Sequence, residues 1–133
     1  MWITGTATGF KDLFSKVVDH AEDNGWTVNT VSGGAPNTDT AFFEGPGYGA
    51  GYECYFGMRT YEDAANNHYC IETRGYTAYD PTQNWDTQPG RSPNTVFTRL
   101  WDAPMDYWLS ISARRILLVA KCSNTYHSVY AGF

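Results

Sequence analysis

Between Phe10 and Ala21 the apolar residues Phe10, Leu13, Phe14, Val17, Val18 and Ala21 recur at intervals of three and four, the spacing that gathers them on one face of a helix. Thr8 is placed to cap that helix, Asp12 and Lys16 to pair across one turn, and Asn24-Gly25 to stop it with a left-handed residue. Beyond it the pattern shortens to the alternation of strands. Trp26 to Val31 alternates apolar and polar residues, a loop follows over Ser32 to Asp39, and Thr40 to Glu44 reads as a second short strand. Tyr52 to Thr60 and Tyr69 to Tyr76 form a predicted hairpin joined by the polar stretch Glu62 to Asn67.

Near the C-terminus Tyr107 to Ser112, Arg115 to Lys121 and Tyr126 to Tyr130 read as a meander, with turns at Ala113-Arg114 and Ser123-Asn124. Between hairpin and meander, Thr77 to Pro104 is rich in Pro, Gly and Trp, which predicts a loop longer than compact domains usually carry without purpose. The expected fold is α+β, with one N-terminal amphipathic helix packed on a mainly antiparallel β-sheet or sandwich. At 133 residues the chain forms a single domain, 1–133.

Composition narrows the function classes. The chain is 42% hydrophobic and only 17% charged, enough for a core and inconsistent with intrinsic disorder. A net charge of −5 without any Lys/Arg run argues against binding to nucleic acid or to an anionic membrane face. The longest apolar run, Ile116 to Ala120, is too short to cross a bilayer, and Met1-Trp2-Ile3-Thr4 has neither region of a signal peptide, so synthesis in a cytoplasm is expected.

Reactive chemistry finds little support in the residue spacing. Cys54, Cys70 and Cys122 show no CxxC spacing and read as free small hydrophobes, with a Cys54–Cys70 disulfide as the alternative. His20, His68 and His127 are scattered, so no metal and no cofactor is expected. The run Gly45-Pro46-Gly47-Tyr48-Gly49-Ala50-Gly51 is followed by a strand pattern where a phosphate loop requires a helix, and it reads as a strand connection. His127 and Ser128 point to opposite faces of one strand, His68 and Cys70 share a face without further activation, and Glu53, Glu72 and Asp86 are carboxylates such as any acidic chain offers. No catalytic residue is therefore assigned, although a small hydrolase using His68 or a carboxylate pair stays as a minor alternative.

The aromatic load remains: five Trp and ten Tyr, with Trp85 and Trp101 in the long loop and Tyr107 and Trp108 just after it. Aromatics on loops suit protein interfaces or sugar stacking, because they present large area at low entropic cost. Trp85, Gln88, Trp101, Tyr107 and Trp108 are accordingly the candidate interface residues.

The order of several short segments resembles tailed-bacteriophage virion structural proteins of the tail or baseplate. Those segments are Gly5-Thr6-Ala7-Thr8 before Phe10-Lys11-Asp12-Leu13, Trp26-Thr27-Val28, Gly45-Pro46-Gly47, Phe56-Gly57, Gln88-Pro89-Gly90, Leu100-Trp101, Met105-Asp106-Tyr107-Trp108, Arg114-Arg115-Ile116 to Ala120-Lys121, and Tyr130-Ala131-Gly132-Phe133. The resemblance spans nearly the whole chain and rests on order and spacing, not on any one diagnostic motif. It implies an assembly protein located in the virion and made in the host cytoplasm, with copies of itself and other virion proteins as partners. It lends no catalytic residues. A carbohydrate-binding or receptor-binding module that contacts a host surface glycan is the alternative reading.

Overall fold

The structure, a computed structural model, describes residues 1–34 and 38–133. In it one helix accompanies two antiparallel sheets. The elements run β1 (Trp2–Ala7), α1 (Phe10–Asp23), β2 (Thr27–Gly34), β3 (Thr38–Gly45), β4 (Cys54–Asp63), β5 (His68–Tyr76), β6 (Val96–Leu100), β7 (Met105–Ser112), β8 (Arg115–Cys122) and β9 (Thr125–Gly132). A four-stranded sheet has the order β1-β7-β8-β9, and a five-stranded sheet the order β2-β3-β4-β5-β6.

The predicted stripe of α1 is buried as expected: Phe10, Leu13, Phe14, Val17, Val18 and Ala21 all lie in the core. Asp12 and Lys16 pair at 3.7 Å, and Gly25 ends the helix at φ 86°. The cap differs from the expectation. Gly9 occupies the N-cap without a side-chain hydrogen bond, and the Thr8 backbone N–H donates to the Asp12 carboxylate at 2.9 Å. The helix is also not the first element, because β1 precedes it.

That first strand is invisible to apolar alternation for a steric reason. Its inward positions include Gly5 and Ala7, and a Cβ on Gly5 would meet the Tyr107 ring, so small residues there make room for an aromatic neighbour on β7. The other missed strand, β6, lies inside the expected loop 77–104 and adds Thr98 and Leu100 to the inner side of the five-stranded sheet. The hairpin β4/β5 and the meander β7–β8–β9 appear in the expected places, the meander strands extended by one to three residues and β4 shifted to begin at Cys54 instead of Tyr52 and to run on to Asp63. The loop expected over Ser32–Asp39 is shorter than expected: β2 runs on to Gly34 and β3 begins at Thr38, with Gly34 paired to Thr38, and residues 35–37 lie outside the described residues.

Both sheets and the helix contribute to one core, in which Phe43 stacks on Phe56 at 4.8 Å and Trp26 meets both rings edge-on. The sheets are also tied by hydrogen bonds: the Trp26 indole donates to Ser112 O at 2.8 Å, and Gly47 N–H donates to Ala113 O at 2.7 Å. The second bond gives the glycine run its role, since the connection from β3 to β4 docks on the turn between β7 and β8. All three cysteines are free and buried, and Cys54 and Cys70 lie toward opposite ends of the β4/β5 hairpin, which removes the disulfide alternative. Among the described residues no helix is long and apolar enough to cross a membrane.

Leu13 is fully buried where helix and sheets meet. Leu13→Asp therefore places an unpaired charge in the core at a cost of several kcal/mol, against a total stability of about 5–15 kcal/mol. Thermal unfolding followed by circular dichroism is expected to show no cooperative transition for that variant.

Candidate interaction surface

Two sheets that share one core leave two outer faces, and this chain treats them oppositely. On the five-stranded sheet the outer face carries Phe42, Gly57, Arg59, Glu72, Arg74 and Tyr76, brought side by side by the register of β3, β4 and β5. The segment after β5 folds back across it. Trp85 seats its ring on Gly57, where an added Cβ would stand 2.7 Å from the indole, and the Arg59 guanidinium lies 4.5 Å from the ring centre. Phe42, Tyr76 and Tyr79 complete the aromatic layer.

Charged groups in this layer are matched. Arg59 Nε donates to Glu72 at 2.5 Å, and Arg74 donates to Asp86 at 2.8 Å and to Trp85 O at 3.5 Å. The Tyr76 hydroxyl donates to the same carbonyl at 2.9 Å, and its burial pushes the phenol well above the ordinary tyrosine range.

The covering loop has its own internal frame. Gln88 receives the Asp80 N–H at 2.8 Å and donates to Asp80 O at 2.9 Å and Gln83 O at 3.0 Å. The Asp80 carboxylate accepts from Thr82 N–H and hydroxyl, which holds it below the usual carboxylate range. Thr77 N–H to Pro89 O and Ser92 N–H to Gly75 O close the base of the loop. This is a compact Ω-type loop, not an open contact arm.

The expected interface residues consequently separate. Trp85 is 5% exposed and Gln88 2%, so the first anchors the loop to its own sheet and the second frames the loop from within. Neither offers a side chain to a partner. Tyr107 faces the core and Trp101 is half-buried against it. Only Trp108 stands on an outer face that nothing in the described chain covers.

That face belongs to the four-stranded sheet. The register places Trp2, Ser110, Leu117 and Tyr130 in one row, Thr4, Trp108, Val119 and Ser128 in the next, and Thr6, Asp106, Lys121 and Tyr126 in a third. Trp2, Tyr126 and Tyr130 are 59%, 60% and 50% exposed, and Leu117 is exposed as well. The Trp108 and Tyr126 ring centres lie 5.9 Å apart, the two side chains meeting over the intervening strand β8. The sequence carried a signal for this surface. Ile116-Leu117-Leu118-Val119-Ala120 is apolar at both parities, whereas a strand with one wet face alternates. Trp2, Tyr126 and Tyr130 were out of reach, since only the register aligns them.

A cleft of about 480 Å³ that shares Tyr130 with this face opens between the sheets, lined also by Glu53, Thr73, Ser92, Asn94 and Phe133 among others. The other groups weighed for chemistry are dispersed. Glu72 and Asp86 are engaged by the two arginines, Glu53 accepts from Gly51 N–H, and burial pushes the Cys70 thiol upward, away from the activated thiolate that a nucleophile needs. Among the described residues no cluster of His, Cys, Asp and Glu is arranged to hold a metal.

No protein-family model matches the chain, and no curated protein matches it. The geometry defines an α+β body in which its own loop covers one outer face over β3 to β5, and the other outer face is left open among the described residues.

Trp85→Ala is expected to lower stability by about 3–5 kcal/mol, the cost of emptying a large buried aromatic site, and Gly57→Ala to destabilise in the same direction by displacing the ring. Denaturant unfolding of both variants checks this. The pH dependence follows from Tyr76: its raised pKa favours the folded state fully below about pH 10, the unfolded phenol's value, and that contribution drains away as pH rises further. Alkaline titration at the phenolate absorption band is expected to show a tyrosine that ionises only as the chain unfolds, and Tyr76→Phe removes it.

Proposed function

We propose that this protein is a structural subunit of a tailed-phage virion, in the tail, baseplate or neck, and that it works by packing against copies of itself and other virion proteins. The observation that carries this reading is the open face of the four-stranded sheet. Trp2, Trp108, Leu117, Val119, Tyr126 and Tyr130 give this face an apolar character of the kind that marks protein contact sites, interspersed with short Ser and Thr side chains and with Asp106 and Lys121. Among the described residues β1 and β9 are the edge strands of that sheet. In this reading helix and sheets act together as a sandwich-like body, with the loop-covered face as the rigid back and the open face as the working side. The order of segments that resembles virion proteins supports the same conclusion, as does the absence of any chemistry in the sequence that calls for a catalytic role.

One observation favours a second reading, a glycan-binding role. The cleft between the sheets presents Tyr130 and Phe133 beside Ser92, Asn94 and Glu53, an aromatic wall opposite hydrogen-bonding groups.

Mass spectrometry of gradient-purified virions is expected to find the chain as a stoichiometric component. Trp108→Ser combined with Leu117→Ser removes apolar groups that the isolated chain leaves partly in water, so the melting point is expected to stay within a few degrees while incorporation into particles falls. Undiminished incorporation of that variant, together with glycan-array binding lost in Tyr130→Ala, replaces the assembly reading with the second one.

A further inference from the structure

We infer that the open face of the four-stranded sheet pairs with the same face of a second copy, about a two-fold axis that runs parallel to the strands between β7 and β8. The inference rests on the assembly reading and names the first partner. Its basis is the pattern of residues on the face.

A two-fold axis along the strands keeps every row opposite itself and reverses the strand order, so that β7 faces β8 of the second copy and β1 faces its β9. Each row is complementary under that operation. In the first, Trp2 meets Tyr130 and Ser110 meets Leu117; in the second, Trp108 meets Val119 and Thr4 meets Ser128. Large residues face small or flat ones throughout, apart from the aromatic pair at the rim. In the third row Asp106 meets Lys121 twice, once on each side of the axis. These two side chains form no ion pair among the described residues. Asp106 accepts only the Thr6 hydroxyl at 3.0 Å, and the Lys121 ammonium sits 5.7 Å from the Tyr126 ring. The remaining charge at these positions, Arg115, meets Ser112 and is not opposed by a like charge.

The perpendicular in-plane axis is less favourable. It sets Lys121 against Leu117 and Asp106 against Ser110, so each charge keeps only its cross-strand neighbour and meets no opposite charge on the second copy. Charge pattern therefore selects one axis, and it does so through specificity more than through affinity. The size is adequate. Four strands about 4.8 Å apart, rising about 3.4 Å per residue, give about 500 Å² of projected face per copy, hence about 1,000 Å² in all, the threshold for a specific interface. Aligned sheet packing at about 30° accommodates the twist of both faces.

The test uses the full chain and charge reversal. Light scattering and sedimentation are expected to show a dimer for the unaltered protein. Lys121→Asp and Asp106→Lys, each alone, place like charges opposite one another across the axis and are expected to weaken dimerisation by about tenfold or more. Mixing the two single variants then restores both opposed pairs, and a heterodimer is expected. That restoration reports pairing across the contact and not relief within a chain, because repulsion between the cross-strand neighbours within each chain persists in the mixture. Circular dichroism melts of each variant establish that both fold.

A protein that stays monomeric up to about 0.1 mM, or a dimer indifferent to both reversals, overturns the proposal. The same preparations separate this failure from that of the assembly reading. A monomeric chain still present in purified virions defeats the two-fold pairing alone, whereas a charge-sensitive dimer absent from virions defeats the assembly reading and leaves the pairing intact.

Discussion

Every sheet has two faces, and a chain with one core can bury only one face of each sheet against the other. In this protein the consequences of that constraint are settled by Trp85. The indole, seated on Gly57 with the Arg59 guanidinium beside it, fastens the segment between β5 and β6 across the outer face of the five-stranded sheet. Phe42, which the strand alternation turns away from the core, is thereby buried on the outer face. Arg74 and Tyr76 then hold the Trp85 carbonyl, so one residue is fixed through both its ring and its backbone. The loop is part of the fold's stability, and the outer face of the four-stranded sheet keeps apolar groups in water, as does the β6 edge at Val96 and Phe97.

Sequence patterning reached the elements whose burial is one-sided and continuous. The helix was legible because its stripe meets the core along its whole length, and the meander because its strands are flanked by short polar turns. β1 escaped because two of its inward positions, Gly5 and Ala7, are small, a requirement imposed at Gly5 by Tyr107 from a strand about a hundred residues later in the chain. No local reading contains that information. β6 escaped because it is short, follows Pro93 and exposes Val96 and Phe97 at the sheet edge.

The candidate site shows the same division. Trp85 and Gln88 stand in a Pro- and Gly-rich stretch, which suggests contact, but Gln88 satisfies three backbone groups of its own loop and Trp85 caps its own sheet. Composition could not separate an aromatic that reaches outward from one that folds back. Trp108 belongs to the exposed surface, yet its partners there come from strands β1, β8 and β9, and only the register gathers them. The doubly apolar run from Ile116 to Ala120 was the one local sign that the second face of β8 is meant to be covered.

The central claim, that one outer face is occupied by the chain itself and the other by a neighbour, is tested most directly by hydroxyl-radical footprinting of the dilute chain and of the assembled particle. The account predicts strong labelling of Trp2, Tyr126 and Tyr130 and weaker labelling of Trp108 in the dilute chain, protection of all four in the particle, and no labelling of Trp85 in either state. Equal labelling of those four residues in chain and particle, or ready labelling of Trp85 in the dilute chain, would contradict it.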